Sequence, residues 1–268
     1  MICFPNIKIN IGLNILSRRK DGYHNIESVF FPVPYCDILE ILPSSNFEII
    51  NKGIKIDCPI EKNLCFKAHN LIKERYEISP IKIILFKNVP FGTGLGAGSS
   101  DAAHTLILLN RIFDLKISEE ELIEIASSIG ADCAFFIKNK PVLATGIGNI
   151  FQEIDLQLTN KHIVLCLPNI SINTAFAYKN CKIQTPEKHL PELIKYPISE
   201  WKNNIKNDFE TSVFREFPNL KEIKQSLYDE GAIYAQMSGS GSAIFGIFEN
   251  YPKDLKIKNS EIRFFTIS

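Results

Sequence analysis

Four groups of residues in this chain have types and spacings that suit chemistry. The first is Pro90-Phe91-Gly92-Thr93-Gly94-Leu95-Gly96-Ala97-Gly98-Ser99-Ser100-Asp101, in which four glycines alternate with small or apolar residues before an apolar helical run. A loop without bulky side chains lets backbone N–H groups approach an anion. The helix N-terminus behind it adds partial positive charge and open donors. The stretch is therefore read as a phosphate site; a glycine-rich surface loop with a serine helix cap is the weaker reading. The second group is Lys8 and Asn10, two residues apart on one face of a strand. A lysine there supplies charge for a developing oxyanion, although its spacing alone reads as a solvated charge. The third is Asp132, behind Gly130-Ala131. Its carboxylate suits accepting a hydroxyl proton or capping a helix, and spacing alone leaves the two even. The fourth is Tyr23-His24, behind Arg18-Arg19-Lys20-Asp21-Gly22. An aromatic face can stack a base and an imidazole can bond its edge; a tyrosine packed on a sheet beside an exposed histidine is the plainer alternative.

Two familiar phosphate loops are excluded or weakened. A G-x-x-x-x-G-K-[ST] loop needs a lysine, and none occurs between Lys87 and Lys116. Gly92, Gly94 and Ala97 satisfy a relaxed dinucleotide fingerprint. That motif also needs an acid at the end of a second strand about twenty residues on. The acids available, Asp114 and Glu119 to Glu121, lie at a helix end and in a capping box.

The elements that must position these groups follow from periodicity. Ile7, Ile9, Ile11, Leu13 and Ile15 alternate with polar residues and glycine, which predicts a half-buried strand. Residues 18–22 predict a hairpin turn. Short strands are expected near 28–33, 37–42, 47–51 and 55–57. A helix is predicted over 63–76, then a strand over 81–86 leading into the glycine loop. A helix follows from Ser99 or Ser100 to about Phe113. Ser118-Glu119-Glu120-Glu121 is a capping box opening another helix, with Gly130 placed to end it. Strands are expected near 141–145, 150–155 and 163–167, loops over 180–204, and helices near 210–217 and 219–229. A strand ends at Met237, Ser238-Gly239-Ser240-Gly241-Ser242 makes a turn, and a strand follows over 243–248. Strands cluster first and helices follow without strict alternation, which predicts an α+β fold. Two domains are expected, 1–157 and 158–268.

Composition narrows the partners. The chain has 268 residues and is 45% hydrophobic, with 30 basic and 30 acidic side chains. Such a balance gives no bulk attraction to nucleic acid or to an anionic membrane. No apolar run is long enough to cross a bilayer, and the N-terminus does not read as a secretory leader. The cysteines number seven, without C-x-x-C spacing, and the five histidines are scattered. Metal-cluster and disulfide frameworks are poorly supported. Reduced thiols in a cytoplasmic protein are expected.

Pro90–Asp101 resembles the P-x-x-x-G-L-G-S/G-S-S motif of the GHMP small-molecule kinases. Ile7-Lys8-Ile9-Asn10 resembles the first-strand motif of that superfamily, and Gly239-Ser240-Gly241 its C-terminal glycine turn. Arg18 to Ser28 resembles an R-R-x-D-G-Y-H-x-I-x-S segment, and Gly130-Ala131-Asp132-Cys133-Ala134-Phe135-Phe136 a G-[SA]-D-V-P-F-F segment. These two are specific to the bacterial branch whose acceptor is the C2 hydroxyl of 4-diphosphocytidyl-2-C-methyl-D-erythritol, in the non-mevalonate route to isoprenoid precursors. The chain departs from the pattern at Thr93, Ala97, Cys133 and Ala134. Asn149 stands where an acid is usual, which puts any role of that acid in doubt.

The resemblance implies a fold and a set of roles. The fold is a ribosomal-protein-like N-terminal domain followed by a ferredoxin-like α/β sandwich, with the active site in the cleft between them. Lys8 and Asp132 would be catalytic. Pro90, Phe91, Gly92, Thr93, Gly94, Leu95, Gly96, Ala97, Gly98, Ser99 and Ser100 would hold ATP. Asn10, Tyr23, His24, Thr174 and Tyr178 would hold the substrate. ATP is the implied co-substrate and Mg²⁺ comes with it, Ser99 or Ser100 being the residues to contact the ion; the resemblance names no carboxylate ligand. Lys87 and Asn88 are further candidates for nucleotide contact. The implied partner is a small molecule, not nucleic acid or membrane, and the implied assembly is a monomer or homodimer. Another kinase of the superfamily, or an RNA-binding protein of the same fold, is the alternative.

Overall fold

The computed structural model describes residues 1–56, 58–253 and 255–267. The strands are β1 (Ile2–Cys3), β2 (Asn6–Arg18), β3 (His24–Cys36), β4 (Ile38–Pro43), β5 (Glu48–Gly53), β6 (Ile81–Lys87), β7 (Val142–Thr145), β8 (Ile150–Glu153), β9 (His162–Pro168), β10 (Tyr234–Met237), β11 (Ile244–Phe248) and β12 (Ser260–Thr266). The α-helices are α1 (Leu64–Arg75), α2 (Ala97–Ile112), α3 (Glu119–Ile129), α4 (Phe135–Lys138), α5 (Thr174–Asn180), α6 (Leu190–Leu193), α7 (Ile198–Asn204), α8 (Glu210–Glu216) and α9 (Pro218–Asp229). They distribute over two compact units, each discontinuous in sequence. The fold is α+β, as expected.

The first unit comprises 1–7, 34–91 and 96–140. Its sheet runs β1-β4-β6-β5, with β6 antiparallel to β4 and parallel to β5. Alternation along β6 sends Ile81, Ile83 and Leu85 inward, and the same period sends Lys87 inward as well. α1, α2 and α3 pack against one another, and α2 also packs on β4.

The second unit comprises 8–33, 92–95 and 141–268. It holds most of the β2-β3-β7-β8 sheet and all of the antiparallel β10-β11-β9-β12 sheet. α9 lies on β10 and β11, burying Leu220, Ile223 and Leu227 at helical spacing against Val164, Cys166 and Ile244. Each such side chain, fully buried, stabilises by about 1.5–3 kcal/mol.

Several elements differ from expectation for local reasons. β2 is not half-buried: from Asn6 to Ile15 both of its faces are covered, so Lys8 and Asn10 are enclosed. The helix expected from Ser99 or Ser100 begins at Ala97, because Gly96 adopts φ +72° and starts the helical turn without a side-chain cap. Residues 55 and 56 of the strand expected over 55–57 are not extended in a sheet, and Asp57 lies outside the described residues. β5 stops at Gly53, whose φ of +74° turns the chain. The stretch 180–204 contains α6 and α7, both begun at or beside a proline. Ser118 caps α3 by accepting from Glu121 N, as the capping box predicts.

Candidate active site

In the second unit, β2 and the glycine turn after β10 organise the surroundings of Lys8. Lys8 is buried and donates from Nζ to Asn10 Oδ1 at 2.5 Å and to Gly94 O at 3.2 Å. Its ammonium also lies 4.6 Å from the centroid of Phe30. Asn10 Nδ2 donates to Ser28 Oγ at 2.9 Å, and Ser28 Oγ in turn donates to Gly12 O at 2.6 Å. Ser238 Oγ accepts from Asn10 N at 3.2 Å and donates to Gly94 O at 3.0 Å. The reading of Lys8 as a solvated surface charge is thereby corrected. A buried ammonium needs partners, and here they include a carboxamide, a carbonyl and a ring face. The carboxamide of Asn10 is engaged by Lys8 and Ser28.

The glycine loop is held by its backbone. Lys8 N donates to Leu95 O at 3.0 Å, and Ala243 N donates to Thr93 O at 3.1 Å. Thr93 and Leu95 are buried, whereas Gly92 and Phe91 are exposed. Gly94 has φ +74°, and a Cβ there would stand 2.1 Å from Ser238 O. Backbone oxygen cannot move away as a flexible side chain can. Gly94→Ala is expected to incur a left-handed cost of about 1–2 kcal/mol and a further overpacking cost of about 1–3 kcal/mol. Urea unfolding measures the stability loss; an unchanged midpoint would refute the close approach.

In the first unit, α2 presents its N-terminus without a side-chain cap, so first-turn N–H groups remain open for an anion. Ser100 is fully buried beside His104, whose Nδ1 lies 2.9 Å from Ser100 O and 3.3 Å from its Oγ. Burial lowers the affinity of His104 for a proton. Ser99 is half-buried and bonds the Cys133 thiol. Asp132 is half-buried in the turn at 131–134, between α3 and α4. α4 follows at once, with Ala134 at its N-cap.

Lys87 is not at the surface. Its Nζ bonds Asp37 Oδ2 and, at 2.8 Å, Asp101 Oδ2, with all three side chains buried. Asp37 Oδ1 accepts from Asn88 N at 2.7 Å and Val89 N at 2.9 Å. The cluster thus ties the end of β6 to the second turn of α2. Burial, and then the charge of Asp37, push the Asp101 carboxyl up to about 7 against the pull of Lys87. Asn88 Nδ2 donates to Cys36 O at 3.1 Å and remains exposed.

Tyr23, His24, Thr174 and Tyr178 line one cavity of about 560 Å³ in the second unit, together with Arg18 and Cys181. His24 stacks on Tyr178 with ring centroids 4.8 Å apart and planes at 17°. Tyr178 is steadied edge-on by Phe209. Thr174 Oγ1 lies 3.1 Å from Ser240 Oγ. Burial, and then the nearby charge of Arg18, hold His24 below its ordinary pKa, so a neutral ring near pH 7 offers one donor and one acceptor.

Sequence reasoning missed Ser28, Asp37 and Asp101 as parts of these networks. A polar residue at a core-facing strand position, as Lys87 is, was the available signal for the carboxylates. Among the described residues no group of three or more His, Cys, Asp or Glu side chains could hold a metal ion, and no helix is long and apolar enough to cross a membrane.

Known proteins resemble this chain over nearly its full length. The GHMP kinases N terminal domain model matches residues 63–140, and the GHMP kinases C terminal model matches 190–260. A 4-diphosphocytidyl-2-C-methyl-D-erythritol kinase of Parabacteroides distasonis is 53% identical over 93% of this chain and 92% of its own. Its namesake from Cytophaga hutchinsonii is 46% identical over 98% of both. A solved 4-(cytidine 5'-diphospho)-2C-methyl-D-erythritol kinase superposes with a TM-score of 0.79 at 29% identity, covering 92% of this chain and 90% of that one. The Methanococcus jannaschii mevalonate kinase shares the fold, with a TM-score of 0.70 at 13% identity. With these family matches and relatives, the chain belongs to the GHMP kinases and is an ATP-dependent small-molecule kinase.

Proposed function

We propose that this kinase phosphorylates the C2 hydroxyl of 4-diphosphocytidyl-2-C-methyl-D-erythritol, in the route to isoprenoid precursors that uses methylerythritol phosphate. The observation that carries the reading is the cavity in which His24 stacks on Tyr178 beside Tyr23 and Thr174. Its aromatic faces suit a base, and its neutral imidazole suits a base edge with both donors and acceptors. The relatives carrying the cytidyl name support the same reading.

In the proposed reaction the C2 oxygen forms a bond to the γ-phosphorus while the bond from that phosphorus to the β–γ bridging oxygen breaks. ADP leaves with the bridging oxygen, and the hydroxyl proton passes to the Asp132 carboxylate. Lys8 neutralises charge that develops on the transferring oxygens, and Asn10 orients Lys8 through their hydrogen bond. The stretch from Pro90 to Ser100 holds ATP by its backbone and by the uncapped start of α2. Mg²⁺ brought by ATP would supply positive charge that offsets the charge of the phosphates. Such an ion needs few protein ligands, and the half-buried Ser99 hydroxyl fits that demand better than the enclosed Ser100. The proposal includes the division of the chain at 157/158, which the two family matches flank. It also includes a cytoplasmic location, a monomeric or homodimeric state, and no nucleic-acid or membrane partner.

Purified protein offered Mg-ATP with the cytidyl substrate, mevalonate or homoserine tests the reading. ADP release with the cytidyl substrate alone is the expected result. Turnover of mevalonate or homoserine instead would transfer the protein to another kinase of the family. No turnover of any of them by folded protein would sink the reading.

A further inference from the structure

Asn207 is an asparagine with 3% of its surface exposed, and both its amide nitrogen and its amide oxygen are bonded within the second unit. Its Nδ2 donates to Met237 O and to Gly239 O, both at 2.8 Å. Its Oδ1 accepts from Phe209 N at 3.0 Å. The two carbonyls belong to the residues on either side of Ser238. One primary amide, with two N–H bonds at a fixed angle, therefore sets the direction of the 237–238 peptide, which enters Ser238, and of the 239–240 peptide, which leaves Gly239.

Asn207 is itself anchored. Leu13 N donates to Lys206 O and Asp208 N donates to Leu13 O, each at 2.9 Å, so residues 206–208 lie parallel along β2. Ile15 N donates to Asp208 Oδ2 at 2.7 Å. On the far side, Glu210 Oε1 accepts from Met237 N at 2.9 Å, and its other oxygen pairs with Lys224 at 2.6 Å. The segment thus takes its reference from β2, the strand that carries Lys8 and Asn10.

The hydroxyl positioned in this way meets both. Ser238 Oγ accepts from Asn10 N and donates to Gly94 O, and Gly94 O also accepts from Lys8 Nζ. Gly239, at φ +55°, closes the turn so tightly that a Cβ there would lie 3.2 Å from Asn10 Oδ1. An apolar side chain at 207 would leave two buried carbonyls unpaired and free to rotate the turn.

We propose that Asn207 is a positioning residue for phosphoryl transfer: by holding Met237 O and Gly239 O it aims Ser238, and through Ser238 it fixes Gly94 of the phosphate loop and the ammonium of Lys8. The proposal rests on the kinase reading of the loop given above. Its effect falls on ATP and on the chemical step more than on the cavity lined by Tyr23, His24 and Tyr178, which the turn meets at the Ser240–Thr174 contact.

Asn207→Asp is the informative variant. Its carboxylate still accepts from Phe209 N but sets an oxygen against the two carbonyls it should bind. If that variant does not fold, Asn207→Ser replaces it, since a hydroxyl supplies one donor instead of two. Asp208→Ala is the control; it removes the side-chain bond to Ile15 N, while the two backbone bonds to Leu13 keep Asn207 in place and the turn is not touched. The expected result is a KM for ATP raised at least tenfold and a lower kcat in the Asn207 variant, with the KM for the cytidyl substrate within twofold of wild type. Asp208→Ala should lower the melting temperature and leave the KM for ATP within twofold. A melting-temperature loss in the Asn207 variant without a rise in the KM for ATP would overturn the proposal, as would an equal rise in Asp208→Ala. ATP affinity measured by calorimetry separates the same outcomes without the alcohol. A wild type that binds ATP but does not turn over the cytidyl substrate therefore overturns the acceptor assignment and leaves the Asn207 test standing.

Discussion

Replacing Asp132 by asparagine is expected to lower kcat by about 10²- to 10⁴-fold, the usual contribution of a positioned general base, with ATP affinity within about twofold of wild type. Each factor of ten corresponds to about 1.4 kcal/mol of transition-state stabilisation. The amide keeps the size of the carboxylate and cannot take the proton. Asp132 is half-buried in the turn that precedes α4. Single-turnover phosphoryl transfer together with calorimetric ATP binding separates chemistry from binding. Retention of full turnover would remove Asp132 as the base; loss of ATP affinity in proportion to kcat would make it a nucleotide ligand.

Lys87→Met is expected to cost about 3–5 kcal/mol of stability, the range for removing one partner of a buried ionic group. The two carboxylates that Lys87 joins, those of Asp37 and Asp101, have almost no exposed surface. Methionine fills the channel with a flexible apolar chain and leaves both acids without their cation. A total stability of about 5–15 kcal/mol makes such a loss large. Urea unfolding measures it. Asp101→Asn in the Lys87→Met background should recover part of the loss, because one fewer buried acid then needs compensation; no recovery would mean that lost packing, not charge, dominates.

The same cluster sets a pH dependence. Folded Asp101 keeps its proton up to about 7, whereas an aspartate in water releases it near 3.8. The folded state therefore binds more protons across that window, and this contribution to stability falls as pH rises through it. Asp101→Asn should flatten the slope of stability between about pH 4 and 7 relative to wild type. Denaturation midpoints across that range check the sign, and an unchanged slope would place the linkage elsewhere.

Much of the site was legible because local chemistry constrains it. Alternating isoleucines can be only a strand, and they put Lys8 and Asn10 on one face. Four glycines before a helix favour backbone contact with an anion, and the capping box at Ser118 starts α3 where it reads. Solvation was not legible. The alternation that marks β2 as amphipathic holds whether its polar face meets water or protein. Only the observed covering of that face by Phe30, Ser28 and Ser238 makes Lys8 a buried ammonium. The start of α2 differs from the serine expected there because glycine can open a helix at φ +72° without a side chain, an option that residue preferences rank below serine. Lys87 reads as a nucleotide contact because it flanks the glycine loop; its two carboxylate partners lie 50 and 14 residues away in sequence.

The sequence by itself determined the glycine-rich loop, the α+β class and the kinase family, since these depend on residue types at short spacing and on local backbone preference. Tertiary structure alone decided which polar side chains lose water and which partner each then takes. Those partners, such as Ser238 for Asn10 and Asp37 for Lys87, come from distant parts of the chain, and burial raises the cost of leaving any of them unpaired.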